Sequence, residues 1–158
     1  MKSSRAIYAA ILSALVVLAG FSAWAQEIIG IAEVRSGNEI ALNGTVIRLF
    51  GLEAPAADER CDLTEGRYRC GIVAWAELIK LADGRDLSCD IESRTGDGLP
   101  VATCYLGERD INEALVRSGW AEARADVERY QVDQAEARRA RRGLWAERIR
   151  PPDRRQAP

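Results

Sequence analysis

The stretch Arg48-Leu49-Phe50-Gly51-Leu52-Glu53-Ala54-Pro55 places a guanidinium and a carboxylate at the two ends of an apolar run. A guanidinium is a planar fork of N–H donors that matches phosphate or carboxylate oxygens in pairs. A carboxylate can hold a hard cation or take a proton from water. More groups of these kinds stand nearby in the chain: Asn38 and Glu39, then Asp58 and Glu59 after the proline, then Arg94 and Asp97 in a Gly-rich stretch. Arg48 can hold phosphate, or it can simply pair with Glu53 or another loop acid. The chain contains no His, which excludes imidazole acid–base catalysis.

Cys61, Cys70, Cys89 and Cys104 are the only cysteines. With neither a CxxC nor a His, a zinc site is disfavoured. Four cysteines allow three disulfide pairings. The favoured one joins Cys61 to Cys70, closing a short loop, and Cys89 to Cys104, bridging two neighbouring strands.

These groups need elements to position them. Ile28 to Val34 is rich in β-branched residues and reads as a strand. A turn at Ser36-Gly37-Asn38 leads to a strand over Glu39–Leu42. Asn43-Gly44 then makes a hairpin with a strand over Thr45–Leu52. On a strand Glu39 faces away from Asn38, so it is expected to point away from any ion at Asn38. Residues 54–69 read as loop. Cys70–Ala82 reads as a helix, with Ile72, Trp75, Ala76 and Ile79 at helical spacing. Strands follow over Asp86–Ile91 and Val101–Tyr105, around the loop Ser93–Pro100. Asp110 and Glu113 form a capping box for a helix that Gly119 stops. A last helix spans Val127–Arg142, with Leu144 and Trp145 folding back on the core. Trp75, Trp120 and Trp145 are expected in the core rather than as stacking platforms. Arg138, Arg139, Arg141 and Arg142 could track a phosphate backbone, but more often such a run is a solvated face near a helix end. Five strands in a meander with helices between them fit an α+β protein built on a small OB-type barrel.

The segment Arg48–Pro55 resembles the central signature of the staphylococcal nuclease-like family. Asn112–Gly119 resembles the family's segment after its last strand, and Ala135–Trp145 its C-terminal helix and closing Trp. The resemblance spans about residues 28–146. It implies an OB-type five-stranded β-barrel with about three helices, and a calcium-dependent phosphodiesterase acting on DNA and RNA. Such a reaction needs arginine forks for the phosphoryl oxygens, a carboxylate for the attacking water and carboxylates for the ion.

Carried over residue by residue, the resemblance assigns Arg48 to the first catalytic Arg. The general-base Glu falls on Ala56 and the second catalytic Arg on Leu99, so both are missing. The calcium-binding Asp positions fall on Asn38 and Glu53, and the Thr beside them on Ala54. A calcium site made from Asn38 and Glu53 is weak or lost. Glu39, Asp58, Glu59 and Asp97 are acids that could rebuild the site, and Arg94 could replace the lost fork.

Residues 1–25 read as a secretory signal peptide: Lys2 and Arg5, an apolar run over Ala6–Ala19, and a cleavage site at Ala23-Trp24-Ala25. The expected domains are this signal, a nuclease-like domain over 26–148 and a disordered tail over 149–158. Without Lys2 and Arg5 the chain carries 20 bases against 24 acids, a net charge of −4. Residues 26–99 hold 14 acids against 8 bases, whereas residues 124–155 hold ten Arg. An acidic chain is a poor polyanion binder by default. The expectation is an exported, periplasmic or extracellular monomer with no membrane anchor after cleavage. Its nuclease activity is lost or nearly so, its barrel is kept for binding, and nucleic acid is at most a weak partner. The alternatives are an active, remodelled nuclease and an envelope role such as extracellular polysaccharide production.

Overall fold

The computed structural model describes residues 26–63 and 66–146. The signal-peptide segment and the C-terminal tail lie outside the described residues. The barrel strands are β1 (Glu27–Val34), β2 (Glu39–Leu42), β3 (Thr45–Leu49), β7 (Asp86–Arg94) and β8 (Pro100–Leu106). Minor strands are β4 (Leu52–Glu53), β5 (Cys61–Leu63), β6 (Gly66–Tyr68), β9 (Arg109–Asp110) and β10 (Glu122–Ala123). The helices are α1 (Cys70–Ala82), α2 (Ile111–Arg117) and α3 (Gln131–Arg139).

Neighbouring barrel strands pair antiparallel in the order β3-β2-β1-β7-β8. The sheet then closes on itself, because β8 also runs parallel to β3, with Arg48 opposite Val101 and Leu49 opposite Ala102. This is the expected OB-type five-stranded barrel with three α-helices. Period-two alternation turns Ile40, Leu42, Ile47, Leu49 and Leu87 inward, where all are buried with Leu78 and Leu115.

Four local expectations are corrected. The strand drawn over Thr45–Leu52 breaks after Leu49, because Gly51 adopts φ +74° and turns the chain into β4. The loop over 54–69 contains the hairpin β5–β6, whose register sets Cys61 opposite Tyr68. The last helix is shorter than Val127–Arg142: Glu128–Tyr130 is a 3-10 turn, and α3 ends at Arg139. Finally, α1 buries Cys70, Gly71, Ala74, Leu78 and Ala82, while Ile72 and Ile79 remain exposed. The helix is apolar nearly all round, so spacing alone could not choose its face. Its small residues permit close approach: a Cβ on Gly71 would sit 1.6 Å from the Ala56 carbonyl oxygen. Of the three tryptophans, Trp145 is buried, and Trp75 and Trp120 pack half-buried against the core.

Both favoured disulfides are present, Cys61–Cys70 and Cys89–Cys104. The second links residues directly opposite across β7 and β8. The first ties the hairpin to the start of α1. Helix α2 begins as its sequence signals, with the Asp110 carboxylate accepting from the Glu113 N–H at 2.9 Å. Buried Asn112 then locks α2 to the closure point. Its amide donates to the Phe50 and Ala102 carbonyls at 3.0 and 3.1 Å, and its oxygen accepts from the Cys104 N–H at 3.2 Å.

Candidate functional site

The break between β3 and β4 makes one wall of a cleft of about 530 Å³. That size lies within the roughly 300–1,000 Å³ of ordinary ligand sites. Asn38, Arg48, Phe50, Glu53 and Arg94 all line it, so strands far apart in the chain bring these residues together. The Leu49 N–H donates to the Asn38 carbonyl at 2.9 Å, and the Phe50 N–H to the Ala102 carbonyl at 2.8 Å. Those bonds hold the two sides of the cleft floor in register. Gly51 must be glycine for two reasons: its φ is positive, and a Cβ would lie 2.9 Å from the Tyr130 ring.

Arg48 sits on β3 directly opposite Glu39 on β2. Its Nε and Nη2 donate to Glu39 Oε1 at 3.1 and 2.8 Å. Arg48 therefore pairs with a strand acid rather than with Glu53 or a loop acid. Glu39 does not line the cleft, yet it engages two donors of the guanidinium that does. Asn38 Oδ1 accepts from the Ser36 hydroxyl at 3.1 Å.

Two wall residues carried no signal in the sequence. Arg124 and Asp126 follow β10, which pairs with β4 so that Glu122 lies opposite Glu53. The Arg124 N–H donates to the Gly51 carbonyl at 2.9 Å. The Arg124 guanidinium grips both Asp126 oxygens at 3.1 and 3.0 Å and lies 3.8 Å from Glu53. That grip holds the Asp126 carboxyl below the usual carboxylate range. Only the long-range pairing of two short strands brings these residues here, so no local pattern could have named them.

The remaining candidates are dispersed. Arg94 donates to the Gln26 side chain at 2.8 Å and to the Gly98 carbonyl at 3.1 Å. Asp97 accepts from the Thr95 hydroxyl. That bond first, and the charge of Arg48 less strongly, hold its carboxyl below the ordinary range. Leu99 is half-buried in the same turn. Glu59 lines a neighbouring cleft of about 390 Å³ that shares Glu53, Ala54, Arg124 and Asp126. Its carboxylate accepts from the Ala56 N–H at 3.2 Å. Ala56 and Asp58 are exposed and line neither cleft.

A polar network lies beside the cleft, with Thr103 two residues from the cleft residue Val101 on β8. Arg129 donates to Glu92 at 2.8 Å and to the Thr103 hydroxyl at 2.7 Å, and its guanidinium carbon lies 5.7 Å from the Phe50 ring centroid. The Tyr130 hydroxyl donates to Asp110 at 3.1 Å. Burial first, and the Asp110 charge next, push that phenol up. These bonds tie the 3-10 turn Glu128–Tyr130, which follows the cleft residue Val127, to Glu92, Thr103 and Asp110.

A family model described as staphylococcal nuclease homologue matches residues 46–147. The succinoglycan biosynthesis protein ExoI of Rhizobium meliloti (strain 1021) is 32% identical over 148 residues, a stretch covering 90% of this chain and 76% of the relative.

Proposed function

The chain belongs to the staphylococcal nuclease homologue family, and from that membership we propose that it is an exported member that has lost, or nearly lost, phosphodiester hydrolysis and keeps its cleft as a binding module. The observation that carries this reading is the state of the carboxylates around the family's general-base position. Ala56 presents a methyl group there, which can neither accept a proton nor orient water. The acids that could replace it already carry hydrogen bonds: Glu59 accepts from the Ala56 N–H, Asp97 from Thr95 and Glu39 from Arg48. Asp58 is exposed and apart from the cleft. Leu99, in place of the second catalytic Arg, leaves Arg48 as the one retained group of that machinery.

A general base is worth about 10²–10⁴ in rate and one donor to a developing oxyanion about 10²–10³. The two losses are not strictly additive, but together they remove most of a nuclease. The donors at the family's calcium position are a poor fit to that ion. Calcium takes six to eight oxygens and gains affinity with the number of carboxylates. Asn38 offers a neutral oxygen already bonded to Ser36, and Glu53 stands beside Arg124.

The test is hydrolysis of fluorogenic single-stranded DNA and RNA by the mature protein, with calcium and with chelator, beside Arg48→Ala. The expected result is no cleavage above that variant. Chelator-sensitive cleavage that Arg48→Ala abolishes would instead mean an active, remodelled nuclease. Export is supported by the two disulfides, which persist in oxidising compartments. Blocked thiols in a periplasmic or culture fraction would check it.

A second reading, a role in extracellular polysaccharide production, is favoured by the likeness to a succinoglycan biosynthesis protein. Disrupting the gene and measuring secreted polysaccharide tests it. Unchanged yield and chain length would remove it.

A further inference from the structure

The charge balance of the cleft limits what it can hold. Three guanidiniums reach it, those of Arg48, Arg94 and Arg124. Four carboxylates stand with them: Glu53 and Asp126 in the wall, Glu39 on Arg48, and Asp97 close enough to feel that Arg. A nucleic acid brings a negative charge with every unit and gains affinity by exchanging counterions for Lys and Arg. Here two of the three guanidiniums are already neutralised from within. A polyphosphate entering the cleft would meet more acids than bases and would have to break Arg48–Glu39 and Arg124–Asp126 to be held.

Arg94 differs from the other two. Its partners are the Gln26 amide oxygen and the Gly98 carbonyl, and no carboxylate contacts it among the described residues. A neutral acceptor leaves its positive charge available. Beside it the cleft offers the Asn38 amide and the carboxylates of Glu53 and Asp126, groups that donate to or accept from hydroxyls. Phe50 adds the one aromatic ring in the wall, a flat apolar surface for the C–H face of a sugar ring. Together these groups fit a chain of hydroxylated rings with isolated negative charges.

Resting on the binding-module reading, we propose that the cleft takes an oligosaccharide bearing isolated carboxylates, such as a uronic-acid-containing glycan. Arg94 pairs with one sugar carboxylate, Asn38, Glu53 and Asp126 with hydroxyls, and Phe50 with a ring face.

The probe is a gellan-derived oligosaccharide, in which glucuronate alternates with runs of neutral sugars. Its binding to the full mature protein is followed by calorimetry at two salt concentrations, with a cello-oligosaccharide and single-stranded oligo(dT) as the other arms. The gellan fragment binds, and oligo(dT) of equal length neither binds nor competes. Arg94→Ala weakens the gellan fragment by about tenfold or more, since a charge-assisted hydrogen bond is worth roughly 1.5–3 kcal/mol. The same variant weakens the cello-oligosaccharide by a smaller factor, because that sugar brings no carboxylate to the guanidinium. Phe50→Leu weakens both sugars, and unchanged thermal melting of each variant separates ligand loss from unfolding. Absence of sugar binding, gellan affinity indifferent to Arg94→Ala, or steeply salt-dependent oligo(dT) binding each overturns the assignment. If sugar binding is absent while hydrolysis is also absent, only the ligand class falls. Hydrolysis lost in Arg48→Ala would end the binding-module reading itself.

Discussion

At the scale of single residues, the pair Arg48–Glu39 decides how the cleft meets anions. Glu39 takes two guanidinium donors onto one oxygen, so any phosphate at Arg48 must displace it. Glu39→Gln removes the charge and keeps the shape. It should raise affinity for inorganic phosphate by about tenfold, of the order of one hydrogen bond to a charged group, as read by calorimetry; an unchanged affinity would mean Arg48 does not face the ligand space. Supplying the two groups that the proposed function holds to be missing gives a stricter test. Ala56→Glu with Leu99→Arg should bring back chelator-sensitive cleavage of single-stranded DNA, at least 10²-fold above the parent. Failure of that double variant to cleave while still folded would locate the defect in Asn38 and the ion site instead. Arg48 was legible in the sequence because its neighbours Leu49–Pro55 carry a specific pattern. Its partner was not, because choosing Glu39 requires the β2–β3 register.

Among the elements, the β7–β8 pair carries the heaviest load. It holds the Cys89–Cys104 disulfide, the Thr103 and Glu92 partners of Arg129, and the parallel contact with β3 that closes the barrel. Cys89→Ser with Cys104→Ser frees a loop of 15 residues and should cost about 3 kcal/mol in urea unfolding, on the loop-closure account of a disulfide. A loss below about 1 kcal/mol would show that β7 and β8 are held without it. The start of α1 is a second junction. Gly71 lies so close to the Ala56 carbonyl that a methyl cannot fit without moving that segment. Gly71→Ala should therefore lower the thermal midpoint and increase hydrogen exchange at residues 56–59, although alanine favours a helix. Faster exchange confined to α1 would contradict the contact as described. The position of α1 was plain in the sequence, but its buried face was not, since Ile72 and Ile79 matched the helical period as well as Leu78 did.

For the whole molecule, acid should be the weak side. Glu92 is held below its ordinary 4.5, first by the Thr103 hydroxyl, which burial opposes, with Arg129 lowering it further. A carboxylate depressed in the folded state contributes stability that is complete above its unfolded value and disappears as pH falls through its folded value. Thermal stability should thus be flat from pH 7 to about 5 and fall below pH 4.5, with Asp97 and Asp126 adding to the fall from 3.8 downward. Glu92→Gln should lower the midpoint at pH 7 and shrink the loss between pH 5 and 3. An equally steep acid limb in that variant would assign the acid sensitivity to other groups.

The chain by itself determined the barrel and the placement of the helices, because those depend on local signals: alternating β-branched residues, turn glycines and a capping Asp. It also carried the gaps proposed at Ala56 and Leu99, since a methyl or an isobutyl group lacks the needed chemistry in any fold. The tertiary structure alone decided which charges share the cleft. Arg124 and Asp126 enter through the two-residue pairing of β10 with β4, and Arg48 meets Glu39 across β2 and β3. Electrostatic partnership depends on distances of a few ångströms between residues far apart in sequence, and only strand register and barrel closure set those distances.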